Sequence, residues 1–386
     1  MTYDIAVIGS GSVGSFAGYY AAKMGLKTCL IDKFQAPHTQ GSYHGDTRIF
    51  RIAYGEGEKY IPLLQEAYTL WGEFEKEQNI KLFERCGLLN IGSNSTFMQN
   101  VLSSVKNYDL KAKILNAKEL QENYNICVSD DFFGVLETDT GFVYSDLSVK
   151  SAINAACKLG AHTLCDEIVR ICKENGVYKI QTQNSSIQAK QILISAGSYV
   201  NEVLGVCEFD LPKVPVGIRR KVVNWFDTDS YKLSQGFPAF ILEFEDDYFY
   251  GFPAFILEFE DDYFYGFPDF ADGLKVGRDK VGEIISTREE RVEFGSYEQD
   301  TLDIDKHIKE FFPDLKDFSK GSVCTYPLSP DDDFIIDFLD ENLFFMGGLS
   351  HGFKFAPALG LLGVKALQTQ KLDPSIKQYF SLKRFG

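Results

Sequence analysis

The sequence predicts an α/β fold, with some α+β character, that is organised as two domains. An apolar strand over residues 4–8 runs through a glycine-rich turn into an apolar helical stretch, and a second apolar strand follows at residues 29–32. This order of strand, turn, helix and strand is typical of a Rossmann-like βαβ unit. Residues 222–277 are instead rich in strand-forming aromatic residues, and 386 residues are enough for two domains.

The glycine-rich turn, residues 9–14, has the spacing of a dinucleotide-binding motif. We assign Gly9 to the tight turn, Gly11 to the close approach of a pyrophosphate and Gly14 to helix–strand packing. The helix that follows offers free N–H groups to the phosphates. Asp32 ends the second strand, where it can accept hydrogen bonds from a ribose. The motif does not separate FAD from NAD, and the competing interpretation is a glycine-rich turn with a surface aspartate.

Hydrophobic spacing predicts the elements that follow. We expect an amphipathic helix over residues 57–79. Ser145 is expected to cap a second helix that runs through Leu159 and stops at Gly160. Asn175-Gly176 is a hairpin-turn signal. Strands are expected at 162–172, 177–182, 187–195 and 343–346, and a helix near the C-terminus at about 357–368.

The chain is acidic, with 39 Lys and Arg against 55 Asp and Glu and a formal net charge of −16. The sequence has no basic stripe, which argues against nucleic acid as a partner. Any anionic substrate must be held by a few local cations against an unfavourable overall field. No apolar stretch reaches the ~18 residues that a membrane span requires, so we expect no membrane partner.

We expect a cytoplasmic protein with reduced cysteines and no metal site. Met1 leads directly into a strand, without the basic and apolar regions of a signal peptide. None of the eight cysteines forms a CxxC pair. Seven are expected to be buried free thiols: Cys29, Cys86, Cys127, Cys157, Cys165, Cys172 and Cys207.

One internal repeat is perfect. Residues 236–250 recur as residues 251–265, and residues 266–268 begin a third copy that breaks off. A solenoid needs at least three units, so a recent tandem duplication or a sequence-assembly artefact is the better interpretation. Each unit predicts a strand, a Glu-Asp-Asp turn and a strand. Only one copy can occupy a given place in a sheet, so the other should form an extra hairpin or a loop.

Four sequence segments together resemble the monomeric sarcosine oxidase family of flavin-dependent amine oxidases, most closely its bacterial N-methyl-L-tryptophan oxidases. The segments are GSGSVGSFAGYY (9–20), HGDTRIFR (44–51), CTYPLSPDDDFIID (324–337) and HGFKF (351–355). The similarity extends over essentially the whole chain. It implies FAD as the cofactor, and it implies a monomer.

The resemblance assigns the cofactor site. Cys324 matches the cysteine that forms a thioether to the flavin, for which it must be reactive; the alternative is one more buried strand cysteine. His44 and Arg48 match polar residues that line the flavin or the substrate cavity. The full set of implied FAD-binding residues is Gly9, Gly11, Gly14, Asp32, Ser42, His44, Arg48, Ile168, Gly197 and Cys324.

The resemblance also assigns catalytic residues. Arg51 and Lys354 match a pair that grips the substrate carboxylate, a role suited to a guanidinium fork and a compact ammonium; the alternative is surface or ion-pair residues. Lys275 matches a lysine over the flavin ring that assists dioxygen, although the residues alone predict a solvent-facing strand position. Further matches that line the site are Tyr326, His351 and Tyr265, the last with its copy Tyr250 as the alternative.

Three departures from the family pattern put the substrate in question. Asp279, or Arg278 if the alignment slips by one, replaces a substrate-contacting histidine. The segment Ser350-His351-Gly352 lacks one glycine of the family motif. Ser198-Tyr199 stands where a tryptophan is usual.

The implied activity is the oxidative demethylation of N-methyl amino acids, of the N-methyl-L-tryptophan or sarcosine type. Dioxygen and water are consumed, and the amino acid, formaldehyde and hydrogen peroxide are formed. The alternatives are an FAD oxidase of another secondary amine or amino acid, and a flavin-binding protein without turnover. The implied domains are an FAD-binding domain (1–85, 140–215 and 322–386) and a mixed-sheet substrate domain (86–139 and 216–321).

Overall fold

The computed structural model describes residues 1–244, 262–279 and 282–386. The strands within these ranges are, in chain order, β1 (Thr2–Ile8), β2 (Thr28–Asp32), β3 (Thr47–Phe50), β4 (Phe83–Glu84), β5 (Leu88–Gly92), β6 (Ala112–Asn116), β7 (Phe133–Glu137), β8 (Gly141–Tyr144), β9 (His162–Cys165), β10 (Ile168–Glu174), β11 (Val177–Thr182), β12 (Ser186–Ile194), β13 (Gly217–Thr228), β14 (Ala239–Phe244), β15 (Asp262–Phe267), β16 (Leu274–Arg278), β17 (Ile284–Ile285), β18 (Leu315–Leu328), β19 (Ile335–Asp340) and β20 (Leu343–Gly347). The helices are α1 (Ser12–Lys23), α2 (Ile61–Gln78), α3 (Thr96–Asn107), α4 (Ala117–Tyr124), α5 (Ser145–Lys158), α6 (Val200–Gly205), α7 (Gln299–Phe311), α8 (Ala356–Thr369) and α9 (Pro374–Phe380).

The first sheet, which we call the parallel sheet, is built around the N-terminal βαβ unit. Strands β12, β1, β2 and β9 run parallel, and β20 adds to the last residues of β12. The hairpin β10–β11 and strand β19 add antiparallel strands. In the described part of the chain this sheet has eight strands, and the carboxyl ends of β1, β2 and β12 lie side by side. In open α/β sheets this is the edge where ligands bind.

Both faces of the parallel sheet are covered. Ile5 and Val7 point into a core with α1, α2, α5 and α8, whereas Ala6 and Ile8 point into a second core on the opposite face. The apolar strands are therefore buried on both sides, as the sequence pattern predicts.

The second sheet, which we call the mixed sheet, has nine described strands. Their order is β17-β13-β16-β15-β14-β5-β7-β6, with β18 paired to β13. The pair β14–β5 is parallel and the other pairs are antiparallel. A small antiparallel sheet, β3-β8-β4, carries the chain from the βαβ unit to the residues that follow Phe50. The predicted mixed α/β fold with a Rossmann-like unit and a second, mixed sheet is confirmed.

Several element predictions are confirmed and two are wrong. The hairpin turn at Asn175-Gly176 and the helix at the C-terminus are present. The strand predicted over 162–172 is two strands, β9 and β10, because the chain leaves the β2 edge at Asp166 and turns to pair with β11. Ser145 does not cap α5: it is already helical, so its hydroxyl cannot reach the first-turn N–H groups, and Oγ has no partner among the described residues.

The cysteines are all free, but the prediction of seven buried thiols is wrong. Cys29 and Cys172 are buried, whereas Cys86, Cys127 and Cys207 are half-buried. Cys157 and Cys165 are exposed because one lies on the outer face of α5 and the other at the end of the edge strand β9.

The duplicated segment contributes one hairpin to the mixed sheet. Strand β14 comes from the first copy and pairs with β15, which begins in the second copy. The residues between them, 245–261, lie outside the described residues, and so does Tyr250, the alternative to Tyr265. The role of the other strands of the repeat stays a prediction. The domain division also stays a prediction; β18 crosses its boundary at 321/322.

Candidate active site

A continuous cavity runs from the carboxyl ends of β1, β2 and β12 to the face of the mixed sheet. Its volume is about 1680 Å³ with its open mouth included. Its lining joins residues of the glycine turn, such as Gly9 and Gly11, to residues of the mixed sheet, such as Tyr263 and Tyr265.

The glycine turn forms the first end of the cavity. Gly9 has a φ of +88°, and a Cβ at this position would lie 2.6 Å from the carbonyl oxygen of Ser195. A Cβ on Gly14 would lie 1.7 Å from the carbonyl oxygen of Gly9. Helix α1 begins after Gly11 with no side-chain cap and no acidic residue in its first turn. Its first N–H groups are therefore available to an anion such as a pyrophosphate.

Asp32 lies beside this turn as an ionised carboxylate. Its Oδ2 accepts hydrogen bonds from Ser10 N (2.8 Å) and Ser10 Oγ (3.1 Å), and its Oδ1 accepts one from Phe34 N (3.1 Å). Burial opposes the charge, but the bonds from His38, Phe34 and Ser10 hold the pKa of Asp32 below its ordinary value. A carboxylate that lines the cavity in this state can accept bonds from a ribose diol.

The polar segment after β2 is held in place by its own side chains. Arg48 donates to the carbonyl oxygens of Thr47 (2.7 Å), Ser42 (2.6 Å) and His44 (2.8 Å). Burial and the nearby Arg48 lower the pKa of His44 to about 4, so its ring is neutral at pH 7. The ring therefore donates its Nε2–H to the carbonyl oxygen of Val323, 2.6 Å away.

Arg51 lies at the far end of the cavity with its side chain only 3% exposed. Its Nη2 donates to both carboxylate oxygens of Glu56, at 2.5 and 2.7 Å. The guanidinium also lies 4.7 Å from the Tyr54 ring centre and 5.2 Å from that of Phe97. Of the two alternatives for Arg51, the surface position is wrong, whereas an ion pair is present and faces the cavity.

Lys354 lies beside Arg51 and is also buried. Its Nζ donates to the carbonyl oxygen of His351 (2.9 Å) and to Tyr54 Oη (3.3 Å). Burial and the charge of Arg51 lower the pKa of Lys354 to about 7. Burial and Lys354 together lower the pKa of His351 well below its ordinary value, so its neutral ring accepts a bond from Tyr54 Oη at Nδ1, 2.6 Å away.

Lys275 is buried behind the cavity wall, so the solvent-facing alternative is wrong. Its Nζ donates to the carbonyl oxygen of Gly45 and to Thr47 Oγ1 (3.1 Å). The ammonium also lies 4.6 Å from the ring centre of Phe267. Burial and the charge of Arg48 lower the pKa of Lys275 well below its ordinary value.

Two tyrosines line the cavity close to Cys324. The hydroxyls of Tyr265 and Tyr326 are 3.3 Å apart, and both residues line the cavity. Burial raises the pKa values of both phenols, so they are neutral. Cys324 is buried two residues before Tyr326 on β18, and alternation along the strand directs both side chains to the same face.

Asp279 follows β16 and lines the cavity, whereas Arg278 does not. The backbone N–H of Asp279 donates to the carbonyl oxygen of Tyr263 (3.0 Å). The Asp279 carboxylate accepts a hydrogen bond from the Tyr263 side chain. Burial, and to a smaller extent this carboxylate, raise the pKa of the Tyr263 phenol. The departure from the family pattern therefore places an additional carboxylate in the cavity.

The predicted site residues fall into two groups. Those that line the cavity are Gly9, Gly11, Asp32, Ser42, Arg48, Arg51, Ile168, Gly197, Tyr265, Tyr326, His351 and Lys354. Those that pack behind its wall are Gly14, His44, Lys275 and Cys324. Sequence reasoning missed Tyr54, Glu56 and Tyr263 as site residues; the first two follow directly on the segment HGDTRIFR (44–51), which was a usable signal.

In the described ranges no helix is long and apolar enough to cross a lipid bilayer. The same residues contain no group of three or more His, Cys, Asp or Glu side chains that could hold a metal ion.

Comparisons with known proteins agree with this geometry. Residues 4–365 match the profile of a family described as FAD dependent oxidoreductase. The chain is 40% identical over 393 residues to N-methyl-L-tryptophan oxidase from Yersinia pestis (strain Pestoides F), with 100% of both chains covered. The match to the enzyme of the same name from Yersinia pseudotuberculosis serotype O:1b (strain IP 31758) has the same identity and coverage.

Solved structures show the same fold at low sequence identity. NikD, an amino acid oxidase essential for nikkomycin biosynthesis, superposes with a TM-score of 0.82 at 17% identity, covering 98% of this chain and 97% of the other. L-proline dehydrogenase from P. horikoshii gives 0.81 at 17% identity, covering 98% and 96%. The family relationship predicted from the motifs is thereby confirmed: the chain is an enzyme that belongs to the family of FAD-dependent oxidoreductases.

Proposed function

We propose that the enzyme oxidises the N-methyl group of an N-methyl amino acid, with dioxygen as the electron acceptor. The products are the amino acid, formaldehyde and hydrogen peroxide. The observation that carries this proposal is the pair Arg51 and Lys354, two cations buried side by side at one end of a cavity in a strongly acidic protein. Relatives that cover the full chain are named N-methyl-L-tryptophan oxidase, which supports the same substrate class.

The two cations suit a substrate carboxylate. Arg51 is already bonded to the carboxylate of Glu56, so the site accommodates an oxygen pair in this position. Glu56 is 27% exposed and can rotate toward solvent, whereas Arg51 cannot leave the cavity. A substrate carboxylate can therefore replace Glu56 on Arg51 while Lys354 supplies the second charge. This fixes the amino acid in one orientation.

The cavity fits FAD. Gly9, Gly11 and the start of α1 would hold the pyrophosphate, and Asp32 would hold the ribose. FAD, when bound, accepts the electron pair that the amine loses and passes it to dioxygen. We propose covalent attachment through Cys324 Sγ, supported by the position of this residue on the same face of β18 as Tyr326. Lys275 is proposed to stabilise negative charge that develops on dioxygen.

The proposal is tested with the purified holoenzyme and a panel of N-methyl-L-tryptophan, sarcosine and the corresponding unmethylated amino acids. Equal amounts of hydrogen peroxide and formaldehyde are expected from the methylated compounds only. Arg51→Leu is expected to raise KM strongly, and Arg85→Leu, a surface arginine paired with Glu75, serves as the matched control. The proposal is wrong if no N-methyl amino acid yields peroxide.

Asp279 favours a second candidate, an oxidase of a different secondary amine. Its carboxylate lies in the cavity with Tyr263 and acts electrostatically on Lys354 and His351. A substrate with a cationic or N–H-bearing group in addition to the amine that is oxidised would meet a suitable acceptor there. The Asp279→His and Asp279→Asn variants test this candidate. If the second candidate is correct, kcat/KM falls for amines with such a group and is unchanged or raised for sarcosine.

A further inference from the structure

Glu137 is a buried carboxyl group that the proposed chemistry does not use. It ends β7, is only 2% exposed and does not line the cavity. Its Oε2 accepts hydrogen bonds from the backbone N–H groups of Ile52 (3.0 Å) and Ala53 (2.9 Å), the two residues that follow Arg51. Its Oε1 has no hydrogen-bond partner within the described residues. Glu137 therefore holds the backbone next to Arg51 with one oxygen and leaves the other unused.

Asn90 lies between Glu137 and Arg51. It is fully buried on β5, and its Oδ1 accepts a hydrogen bond from Arg51 Nη1 at 3.5 Å. Its Nδ2 is buried with no partner at hydrogen-bond distance in the described part of the chain, yet Asn90 is close enough to lower the pKa of Glu137. The donors and acceptors of the three side chains are ordered from Arg51 through Asn90 to Glu137. Arg51 donates to the amide oxygen, and only the amide nitrogen is left to face the carboxylate.

We propose that Glu137 is a positioning residue for Arg51, and that its ionised form keeps the Asn90 amide in the orientation that prepares Arg51 to bind a carboxylate. This inference rests on the proposed function, because it needs Arg51 to bind the substrate. When Glu137 is protonated, its O–H needs an acceptor, and Asn90 can supply only Oδ1. The amide must then turn its N–H₂ group toward the guanidinium, where a donor meets a donor, and Arg51 loses the bond.

The surroundings place the titration of Glu137 near neutral pH. Burial raises its pKa to about 7, against the opposing effects of the Ala53 and Ile52 N–H groups and of the charged Arg51. Leu88 on β5 and Ala112 on β6 lie opposite Glu137, and Asn90 lies two residues further along β5; none of the three titrates. The other titratable groups that interact with Arg51 are Tyr54, Glu56, Tyr263, Lys354 and His351. The contribution of Glu137 to carboxylate binding should therefore be lost as the pH falls below about 7, whereas the contribution of the Lys354 charge changes in the opposite direction.

The experiment measures the binding of indole-3-acetate, a carboxylate without an amine, to the holoenzyme through the change in flavin absorbance between pH 5.5 and pH 8. In Glu137→Gln the new amide donates permanently toward Asn90, as the protonated acid does. The ratio of its dissociation constant to that of the wild type is expected to be about three at pH 8, the effect of losing one long hydrogen bond, and to approach one at pH 5.5. The titration of Lys354 affects both proteins and cancels in this ratio.

Two more variants separate positioning from general damage. Asn90→Ala keeps the hydrogen bonds that the Ile52 and Ala53 N–H groups donate to Glu137. The ratio of its dissociation constant to that of the wild type should change with pH in the same way. The double variant Glu137→Gln with Asn90→Asp places the amide at position 137 and the carboxylate at position 90. The new carboxylate then accepts from both Arg51 and the neighbouring amide, so wild-type affinity at pH 8 should return.

Flavin content and the thermal midpoint are recorded for each variant. A ratio that does not change with pH in Asn90→Ala and Glu137→Gln would overturn the inference, as would a folded, flavin-loaded double variant that still binds weakly. If Glu137→Gln does not fold, the pH dependence of the ratio between the dissociation constants of Asn90→Ala and the wild type tests the inference by itself. The proposed function fails separately, if the variants give the expected ratios of dissociation constants but the wild type oxidises no N-methyl amino acid.

Discussion

The ion pair between Arg51 and Glu56 predicts that Glu56→Gln strengthens the binding of carboxylates. In the ligand-free protein Glu56 occupies the guanidinium edge that the substrate carboxylate needs. Two unit charges about 4 Å apart attract each other by about 4 kcal/mol at an effective dielectric constant of 20. Glu56 is 27% exposed and regains part of its hydration on release, which offsets part of this loss. A net penalty of about 1–2 kcal/mol remains, and its removal corresponds to ~5–30-fold tighter binding.

The same substitution should lower the stability of the ligand-free protein. Arg51 would be left as a buried charge with its long contact to Asn90 and the rings of Tyr54 and Phe97 but no carboxylate, and removing one partner of a buried pair costs ~3–5 kcal/mol. The partial exposure of Glu56 places the expected loss below that range. A bound carboxylate replaces the lost partner, so indole-3-acetate should raise the thermal midpoint of Glu56→Gln by more than that of the wild type.

The assay combines a flavin absorbance titration at pH 6, where Lys354 is charged, with thermal unfolding in the presence and absence of the ligand. Glu58→Gln, a neighbouring carboxylate bonded to Asn107 rather than to Arg51, is the control and should change neither affinity nor stability appreciably. Equal or weaker carboxylate binding by Glu56→Gln would refute the idea that Glu56 competes with the substrate for Arg51.

Three further predictions follow from the site. Cys324→Ser should release FAD into the supernatant on acid precipitation, whereas the wild-type flavin should stay with the protein; equal release from both would refute covalent attachment. Gly14→Ala should prevent FAD binding, because its Cβ would lie 1.7 Å from a backbone oxygen, while Gly205→Ala, which has open space, should bind normally in the same flavin assay. Because the pKa of Lys354 is lowered to about 7, this side chain is charged below pH 7 and loses its charge above it; the ratio of the indole-3-acetate dissociation constant of Lys354→Met to that of the wild type should be large at pH 5.5 and fall toward one as the pH rises above 7.

The parts of the fold that follow from local sequence were predictable. The glycine turn, α1 and Asp32 lie within one short βαβ unit, and their positions depend on neighbours in the chain. The strand over 162–172 was predicted wrongly because the break at Asp166 comes from a change of partner strand, which hydrophobic periodicity does not record.

The candidate site was only partly predictable, because it is assembled from distant segments. The residues alone predicted Lys275 to face solvent, since alternation on a strand does not reveal that the chain at Gly45 and Thr47 covers that face. The pairing of Arg51 with Lys354 came from the resemblance and not from spacing. Glu137 gave no sequence signal, because a glutamate at the end of a strand is usually exposed.

The central claim is that this flavoenzyme oxidises an N-methyl amino acid bound through Arg51 and Lys354. The most direct measurement mixes the holoenzyme with N-methyl-L-tryptophan or sarcosine without oxygen and follows the flavin absorbance. We predict that the oxidised flavin spectrum bleaches with at least one of them, that one formaldehyde forms per flavin, and that Arg51→Leu needs far more substrate for the same change. A spectrum that no N-methyl amino acid bleaches, in a protein that contains bound FAD, would contradict the account.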